Sequence, residues 1–110
     1  VMRGGVASIL KLEDVAQGPG LGMVPGFEYP ELSVPLDSLE GIWAYTDGVF
    51  EVLGVGGEEF GQERMCAALQ GGETGEEAVD RVVLAAMEFS AEDAFEDDLC
   101  VFGVDFTGRA

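Results

Sequence analysis

The sequence predicts a two-layer α/β (α+β) domain in which strands come first, two helices follow and a last strand returns to the sheet. Three observations support this fold class. Short segments rich in β-branched and aromatic residues stand at residues 6–12, 42–46 and 99–106. Between residues 60 and 89, apolar residues recur at three- and four-residue steps, which is typical of the buried face of a helix. Stretches rich in glycine and proline separate these segments and predict loops.

The amino-terminal third is predicted to contain one strand and a long irregular connection. Residues 6–12 (VASILKL) mix β-branched and apolar side chains and predict a strand. Residues 14–25 combine several glycines with two prolines and therefore predict a loop. Two further prolines, Pro30 and Pro35, interrupt residues 27–36, so any strand there is short or lies at an edge of the sheet.

The middle of the chain is predicted to hold a buried strand followed by a turn. Residues 42–46 (IWAYT) are apolar and aromatic, which fits a strand with both faces buried. Asp47 and Gly48 form a common turn dipeptide, which ends this strand. Residues 51–58 contain three glycines and predict a mobile connection.

Two helices and a strand are predicted in the rest of the chain. Residues 60–70 predict a short helix closed by two glycines, and its expected apolar side consists of Met65, Ala68 and Leu69. The spacing of Thr74 and Glu77 is that of a capping box at the start of a longer helix that runs to about residue 89. The expected inward face of this helix consists of Ala78, Val82, Ala85 and Phe89. An acidic stretch then leads into the last strand, at residues 99–106.

Length and charge restrict the class of protein. The 110 residues correspond to one domain at most. Hydrophobic residues make up 47% of the chain and its mean hydropathy is +0.20, so we expect a folded domain rather than a disordered chain. The 22 acidic and 5 basic residues give a formal net charge of −17, which argues against nucleic acid and anionic membrane surfaces as partners. No apolar run approaches the roughly 20 residues that span a bilayer, so no membrane insertion is expected.

Cysteine and histidine usage narrows the chemistry. The two cysteines, Cys66 and Cys100, stand in apolar surroundings, which indicates reduced thiols in a cytoplasmic protein rather than a disulfide. The chain contains no histidine, which excludes Ser-His-Asp and Cys-His catalysis and most zinc sites. The acidic residues are the remaining candidates for a functional site.

Two acidic positions stand at the ends of predicted buried strands. Asp47 directly follows residues 42–46, with Gly48 behind it to allow close approach of backbone or ligand. Asp97 and Asp98 directly precede the last strand. If the two strands are antiparallel neighbours, Asp47 and Asp97 converge at one end of the sheet, where a cation would relieve their repulsion. Carboxylate oxygens are hard ligands that favour Mg²⁺ or Mn²⁺.

Each of these acidic positions also has a simpler explanation. Asp-Gly after a strand is a common turn signal, and the Asp97-Asp98 pair can end an acidic loop without binding a metal. Residue types and spacing alone leave a metal site and a solvated acidic surface as open alternatives.

Three motifs, in the same order along the chain, resemble the 2C-like (PPM) family of metal-dependent serine/threonine phosphatases. The longest is YTDGVFEVLGVGGEEFGQERM at residues 45–65, with Thr-Asp-Gly-Val, a following Glu and a Gly-Glu-x-Phe-Gly stretch that leads into a helix. GPGLGM at residues 18–23 is similar to a Pro-Leu-Gly loop, and DDLCVFGV at residues 97–104 is similar to a closing Asp-Asp and strand. The closest branch is the bacterial sporulation stage-II-E and sigma-factor-regulator type, and the resemblance covers nearly the whole chain.

The resemblance implies part of an α-β-β-α sandwich with an antiparallel sheet and two helices packed on one face. Residues 1–110 would then form a single partial domain, the carboxy-terminal portion of a phosphatase domain. The resemblance also implies that Asp47 and Asp97 are metal ligands and that Gly48 and Asp98 lie near the site. Members of the family hold two Mg²⁺ or Mn²⁺ ions, which activate a water for attack on phosphoserine or phosphothreonine.

Some features depart from the family's pattern. The family's amino-terminal half supplies further acidic ligands, and nothing in this chain corresponds to it. Phe50 stands where this branch has threonine, and residues 35–43 replace its Pro-Gly-Asp lead-in. We therefore expect the chain alone to hydrolyse phosphoesters negligibly.

Two functions remain open at this point. One is metal-dependent hydrolysis of phosphoserine or phosphothreonine on a bacterial regulatory protein, such as an anti-sigma-factor antagonist, with the remaining half of the phosphatase domain as partner. The other is a non-catalytic interaction domain that keeps the phosphatase fold and docks a partner through its acidic surface. The pair of Asp47 and Asp97 favours the enzyme, and the missing half favours the interaction domain.

Overall fold

A computed structural model describes residues 1–11, 18–71, 75–92, 95 and 97–106. In chain order, its elements are β1 (Met2–Arg3), β2 (Val6–Ala7), a 3₁₀ turn (Leu36–Ser38), β3 (Gly41–Tyr45), α1 (Asp47–Phe50), α2 (Gly61–Leu69), α3 (Gly75–Phe89) and β4 (Val101–Asp105). The strands of this part of the chain form one antiparallel sheet in the order β2-β1-β3-β4. The helices pack against this sheet, so the predicted mixed α/β fold class is confirmed.

Strands β3 and β4 form the longest pair of the sheet. Their register runs from Gly41 opposite Asp105 to Tyr45 opposite Val101. Both strands were expected from the sequence, and both ends of β4 lie inside the predicted residues 99–106. Because side chains alternate between the faces of a strand, Trp43, Tyr45 and Val101 point toward the helices and pack against the core.

The opposite face of the sheet is open. By strand alternation and register it carries Val6, Ile42, Ala44, Phe102 and Val104. Phe102 is 62% exposed, and Ala44 is exposed as well. The expectation that residues 42–46 are buried on both faces is therefore wrong, because no other part of the described structure covers this face.

Helices α2 and α3 cover the inner face of the sheet. Their buried side chains are Met65 and Leu69 in α2, and Ala78, Val82 and Ala86 in α3. The expected inward face of α3 is confirmed: Ala78 and Val82 are buried, and Ala85 and Phe89 are half-buried and pack against the core. Ala86 is buried in addition. The fully buried positions of α3 are thus four residues apart. Side chains with this spacing form a ridge on the helix surface, and such ridges are common in helix–helix packing.

Arg81 in α3 joins the two long helices. Its Nε donates to the Ala68 carbonyl at 3.0 Å and its Nη2 donates to the Leu69 carbonyl at 3.2 Å. These carbonyls lie in the last turn of α2 and have no partner within the helix, so the guanidinium caps it. None of the helices in the described ranges has the length and apolar character that crossing a membrane requires.

The strand predicted over residues 6–12 is shorter in the structure. β2 covers only Val6–Ala7, because its partner β1 has only two residues. The pairing ends where the Ser8 amide donates to the Val1 carbonyl at 2.9 Å. Residues 9–11 continue without regular structure, and residue 12 lies outside the described part of the chain.

Residues 18–35 form a long irregular stretch without a helix or strand, as their glycines and prolines predicted. Within it, the Tyr29 hydroxyl donates to the Gly20 carbonyl at 3.2 Å, and the Tyr29 and Phe27 rings lie 4.8 Å apart between centroids. Thr74, the first residue of the expected capping box, lies outside the described residues.

Residues 53–59 form a hydrogen-bonded hairpin, where the sequence had predicted a mobile connection over residues 51–58. Leu53 and Glu59 form a β-bridge, and the Gly54 amide donates to the Glu58 carbonyl at 2.8 Å. Gly57 takes a left-handed conformation at the turn, with φ of 82°, which glycine adopts without steric cost. The glycines of this segment thus build a tight turn.

Candidate functional site

The ends of β3 and β4 meet at one end of the sheet. The amide of Thr46, which follows β3, donates to the Cys100 carbonyl at 3.0 Å. The Cys100 amide in turn donates to the Thr46 hydroxyl at 3.0 Å. The antiparallel pairing on which the predicted convergence of the acidic positions depended is therefore present, and it brings residue 47 close to residues 97–99.

Asp47 and Gly48 begin helix α1, where the sequence had predicted a simple turn. The Val49 amide donates to the Thr46 carbonyl at 3.2 Å, and the Glu51 amide donates to the Asp47 carbonyl at 2.9 Å. Val49 is fully buried in the core. Burial of this side chain holds the backbone in a helical turn, because the turn directs Val49 inward while Asp47 stays exposed.

Gly48 lies directly against the backbone of Asp98. A Cβ atom added to Gly48 would stand within 3.0 Å of the Asp98 carbonyl group, a separation that real Cβ atoms essentially never show. Only glycine therefore allows this approach of the two segments. The contact sets the position of Asp47 relative to Asp97, since each is the immediate neighbour of a residue in it.

Asp97 and Asp98 have different surroundings. The Asp98 amide donates to the Asp97 Oδ1 atom at 2.8 Å. Asp97, together with Gly48 and Glu51, lines a cavity of about 500 Å³ that we call the lateral groove. The hairpin of residues 53–59 forms one wall of this groove, and residues 90–92 with Phe95 form the other. Asp47 and Asp98 are not among the described residues that line it.

The carboxylates near this junction influence each other. Partial desolvation, followed by the negative charges of Asp47, Glu59 and Asp97, raises the pKa of the Glu51 carboxyl. Both predicted ligands therefore lie close enough to Glu51 to repel its charge. Glu51 is thus a third carboxylate within electrostatic range of both candidate ligands.

The comparisons with known proteins identify the family. The profile of the Stage II sporulation protein E (SpoIIE) family matches residues 6–107. The chain belongs to the SpoIIE family. It is therefore a phosphatase-related domain of sporulation and regulatory signalling, and the resemblance drawn from its motifs is confirmed. Neither a curated protein nor a solved structure matched the chain.

The described residues of this SpoIIE domain do not supply a complete set of metal ligands. Among them, no group of three or more histidine, cysteine, aspartate or glutamate side chains is close enough together to hold a metal ion. The donor chemistry nevertheless fits Mg²⁺ or Mn²⁺, because Asp47, Glu51 and Asp97 offer only carboxylate oxygens. Asp47 and Asp97 are both exposed, so water and cations have access to them.

Glu51 is a further candidate residue of this SpoIIE domain; it is the Glu that follows Thr-Asp-Gly-Val in the motif, where no role was assigned to it. It follows Asp47 by four residues, which on a helical turn places the two side chains on the same side. That signal depends on the helix α1, and the sequence had predicted a turn followed by a loop. The helical conformation of residues 47–50 places Glu51 on the same side as Asp47.

Proposed function

We propose that this SpoIIE domain contributes part of a two-metal site that hydrolyses phosphoserine or phosphothreonine on a regulatory protein. The observation that carries the proposal is the contact of Gly48 with the Asp98 backbone, which holds Asp47 and Asp97 at one end of the sheet. Family membership supports a phosphatase-related role for this junction. The substrate would be a phosphorylated bacterial regulator such as an anti-sigma-factor antagonist, and the domain would act in the cytoplasm.

Asp47 and Asp97 would hold Mg²⁺ or Mn²⁺ in this proposal. When bound, the metal ions activate water and neutralise the negative charge that develops on the phosphoryl group. A bound cation would offset the repulsion between the carboxylates of Asp47, Glu51 and Asp97. Gly48 acts as a positioning residue, since a larger residue there would separate the two ligand-bearing segments. Asp98 would contribute its backbone to this contact, while its carboxylate plays a lesser part.

We further infer that the remaining metal ligands come from the remaining half of the domain. The support is the open sheet face, where Phe102 is 62% exposed and Val6 is 59% exposed. A sheet face that carries apolar side chains is usually buried against another layer of structure. Residues 1–110 would be the carboxy-terminal portion of an α-β-β-α sandwich, and a second sheet would cover this face. The net charge of −17 argues against nucleic acid as an alternative partner.

A non-catalytic interaction domain is the second candidate function. The observation that favours it is the absence, within the described residues, of a complete group of metal-ligating side chains. In that case, Asp47 and Asp97 would belong to a solvated acidic surface that contacts a partner protein. The two candidates differ in whether these carboxylates bind a metal specifically.

A manganese-binding experiment separates the two functions. Free Mn²⁺ would be measured by electron paramagnetic resonance during titration of the chain and of the variants Asp47→Asn and Asp97→Asn. Asp80→Asn is the matched control, because Asp80 is an exposed aspartate on α3. We expect either site variant to lower Mn²⁺ binding, while the control binds as the wild type does. Equal binding by all four proteins would contradict the metal site and favour the interaction domain.

A further inference from the structure

The lateral groove extends the candidate site along the surface. Its volume of about 500 Å³ falls in the range of ligand-binding pockets. It begins at Gly48 and Asp97 and continues between the hairpin and the segment that follows α3. A molecule bound at Asp97 would therefore have this groove directly beside it.

The walls of the groove are held in place by backbone hydrogen bonds. The Ala91 amide, just after α3, donates to the Leu53 carbonyl at 3.0 Å and so joins the two walls. The Phe60 amide donates to the Val52 carbonyl at 2.7 Å, which fixes the base of the hairpin. The shape of the groove is thus built before any ligand arrives, which lowers the entropy cost of binding.

The hairpin wall presents apolar side chains to solvent. Val55, at the tip of the hairpin, is 89% exposed, and Leu53 is 47% exposed. Both residues line the groove, together with the half-buried Val52 and Phe95. Apolar side chains grouped around a concave surface mark a contact site for another molecule.

The charged side chains that the described residues contribute to the groove are all negative. Its charged lining residues in the described part of the chain are Glu51, Glu92 and Asp97, with no lysine or arginine among them. Glu51 and Asp97 belong to the candidate metal site, whereas Glu92 belongs to the wall formed by residues 90–92 and Phe95. Beside these carboxylates, a peptide segment that carries a positive charge is favoured over a neutral or acidic one.

We propose that the lateral groove binds the substrate segment that flanks the phosphorylated residue, and that this segment carries an apolar side chain and a lysine or arginine. The apolar side chain contacts Val55 and Leu53, and the basic side chain faces Glu92. This assignment rests on the proposed function, since the metal site would place the phosphoryl group at the groove's entrance. It adds a selectivity that the metal ligands alone do not provide.

Binding of labelled peptides tests the proposal. Two phosphoserine peptides of equal length would carry leucine near the phosphoserine and differ in one flanking residue, lysine or glutamate. Fluorescence anisotropy in Mn²⁺ should show the lysine peptide binding about fivefold tighter, the size expected for one exposed ion pair. Glu92→Lys should abolish or reverse this preference. Glu76→Lys, at an exposed glutamate in the first turn of α3, is the control with the same change in net charge.

A separate variant tests the apolar contact between the peptide and Val55. Val55→Ala should weaken binding of both peptides by a similar factor, whereas Leu84→Ala, at an exposed leucine on α3, should leave binding unchanged. Equal binding of the lysine and glutamate peptides to the wild type would overturn the proposal. An effect of Glu76→Lys as large as that of Glu92→Lys would also overturn it, because the preference would then reflect net charge alone.

The same peptides without phosphate, measured with a chelator present, separate this proposal from the proposed function. If the groove contacts the flanking residues directly, the preference for lysine persists at lower affinity without metal or phosphate. If binding depends on phosphate and Mn²⁺ but the lysine and glutamate peptides bind equally, the result supports the metal site and contradicts the groove assignment. A persistent preference without any effect of Mn²⁺ would support the groove and remove the metal site.

Discussion

Thr46 and Cys100 are joined by reciprocal hydrogen bonds although they stand 54 positions apart in the chain. The Thr46 amide donates to the Cys100 carbonyl, and the Cys100 amide donates to the Thr46 hydroxyl, both at 3.0 Å. The threonine side chain thus replaces a backbone acceptor at the point where the ladder between β3 and β4 ends. This junction carries Asp47 on one side and residues 97–99 on the other.

Replacing Thr46 should loosen the junction. Thr46→Val keeps the shape of the side chain but removes the acceptor of the Cys100 amide, so we expect a loss of about 1 kcal/mol in the free energy of unfolding. Thr46→Ser keeps the hydroxyl and should lie close to the wild type. Urea denaturation measures both variants. A valine variant as stable as the serine variant would mean that water replaces the hydroxyl at no cost.

Gly48→Ala should destabilise the fold by overpacking. The added methyl group would meet the Asp98 carbonyl, and backbone on both sides would have to shift at a cost of about 1–3 kcal/mol. Gly20→Ala is the control, because the nearest atom there is the sulfur of the flexible Met23 side chain. Thermal denaturation should show a lower melting temperature for Gly48→Ala only. Weaker Mn²⁺ binding by the same variant would show that the contact also positions the ligands.

Manganese should stabilise the folded chain through Asp47. A cation that binds only the folded form stabilises it by about 2.7 kcal/mol at a hundredfold excess over its dissociation constant. Monovalent salt screens the general repulsion of a chain with net charge −17 without occupying the site. Melting curves in Mn²⁺ and in monovalent salt of matched ionic strength separate the two effects. We expect Mn²⁺ to raise the melting temperature of the wild type more than monovalent salt does, and this difference to be lost in Asp47→Asn. An equal effect of Mn²⁺ on both proteins would contradict a metal site at Asp47.

The chain alone should show negligible phosphatase activity. A catalytic pair of metal ions needs more carboxylates than Asp47 and Asp97 supply, and the described residues contain no complete ligand group. Hydrolysis of a generic aryl phosphate by the purified chain in Mn²⁺ is the measurement. Turnover that depends on Mn²⁺ and disappears in Asp97→Asn would contradict the expectation that the remaining half of the domain is required.

The open sheet face offers a test of that remaining half. Phe102→Glu should leave the stability of the chain nearly unchanged, because the ring is mostly exposed. It should, however, prevent association with the rest of the domain, since the variant would bury an unpaired charge in the interface. Leu84→Glu, on the outer side of α3, is the control. Association is measured by co-purification of this chain with the remaining half of the domain. Equal recovery of that half with Phe102→Glu and with Leu84→Glu would exclude this face as the interface.

The predictions from sequence succeeded where the signal was local. The apolar periodicity of residues 60–70 and of the longer helix depends on neighbours three or four positions away, and both helices are present. The strand predicted at residues 6–12 was too long because strand length depends on the partner, and β1 has only two residues. Asp47-Gly48 was mistaken for a turn because the burial of Val49, which favours the helix, is not visible in a dipeptide.

Residue patterns were sufficient to predict the fold class, the helices α2 and α3, the strands β3 and β4 and the candidate pair Asp47 and Asp97. Three features are visible only in the folded structure: Gly48 contacts the Asp98 backbone, Glu51 lies within electrostatic range of Asp47 and Asp97, and the hairpin and the end of α3 enclose a groove. The physical reason is that propensity and periodicity act over a few residues. Contacts between segments about fifty positions apart depend instead on how strands and helices pack, and that packing builds the site.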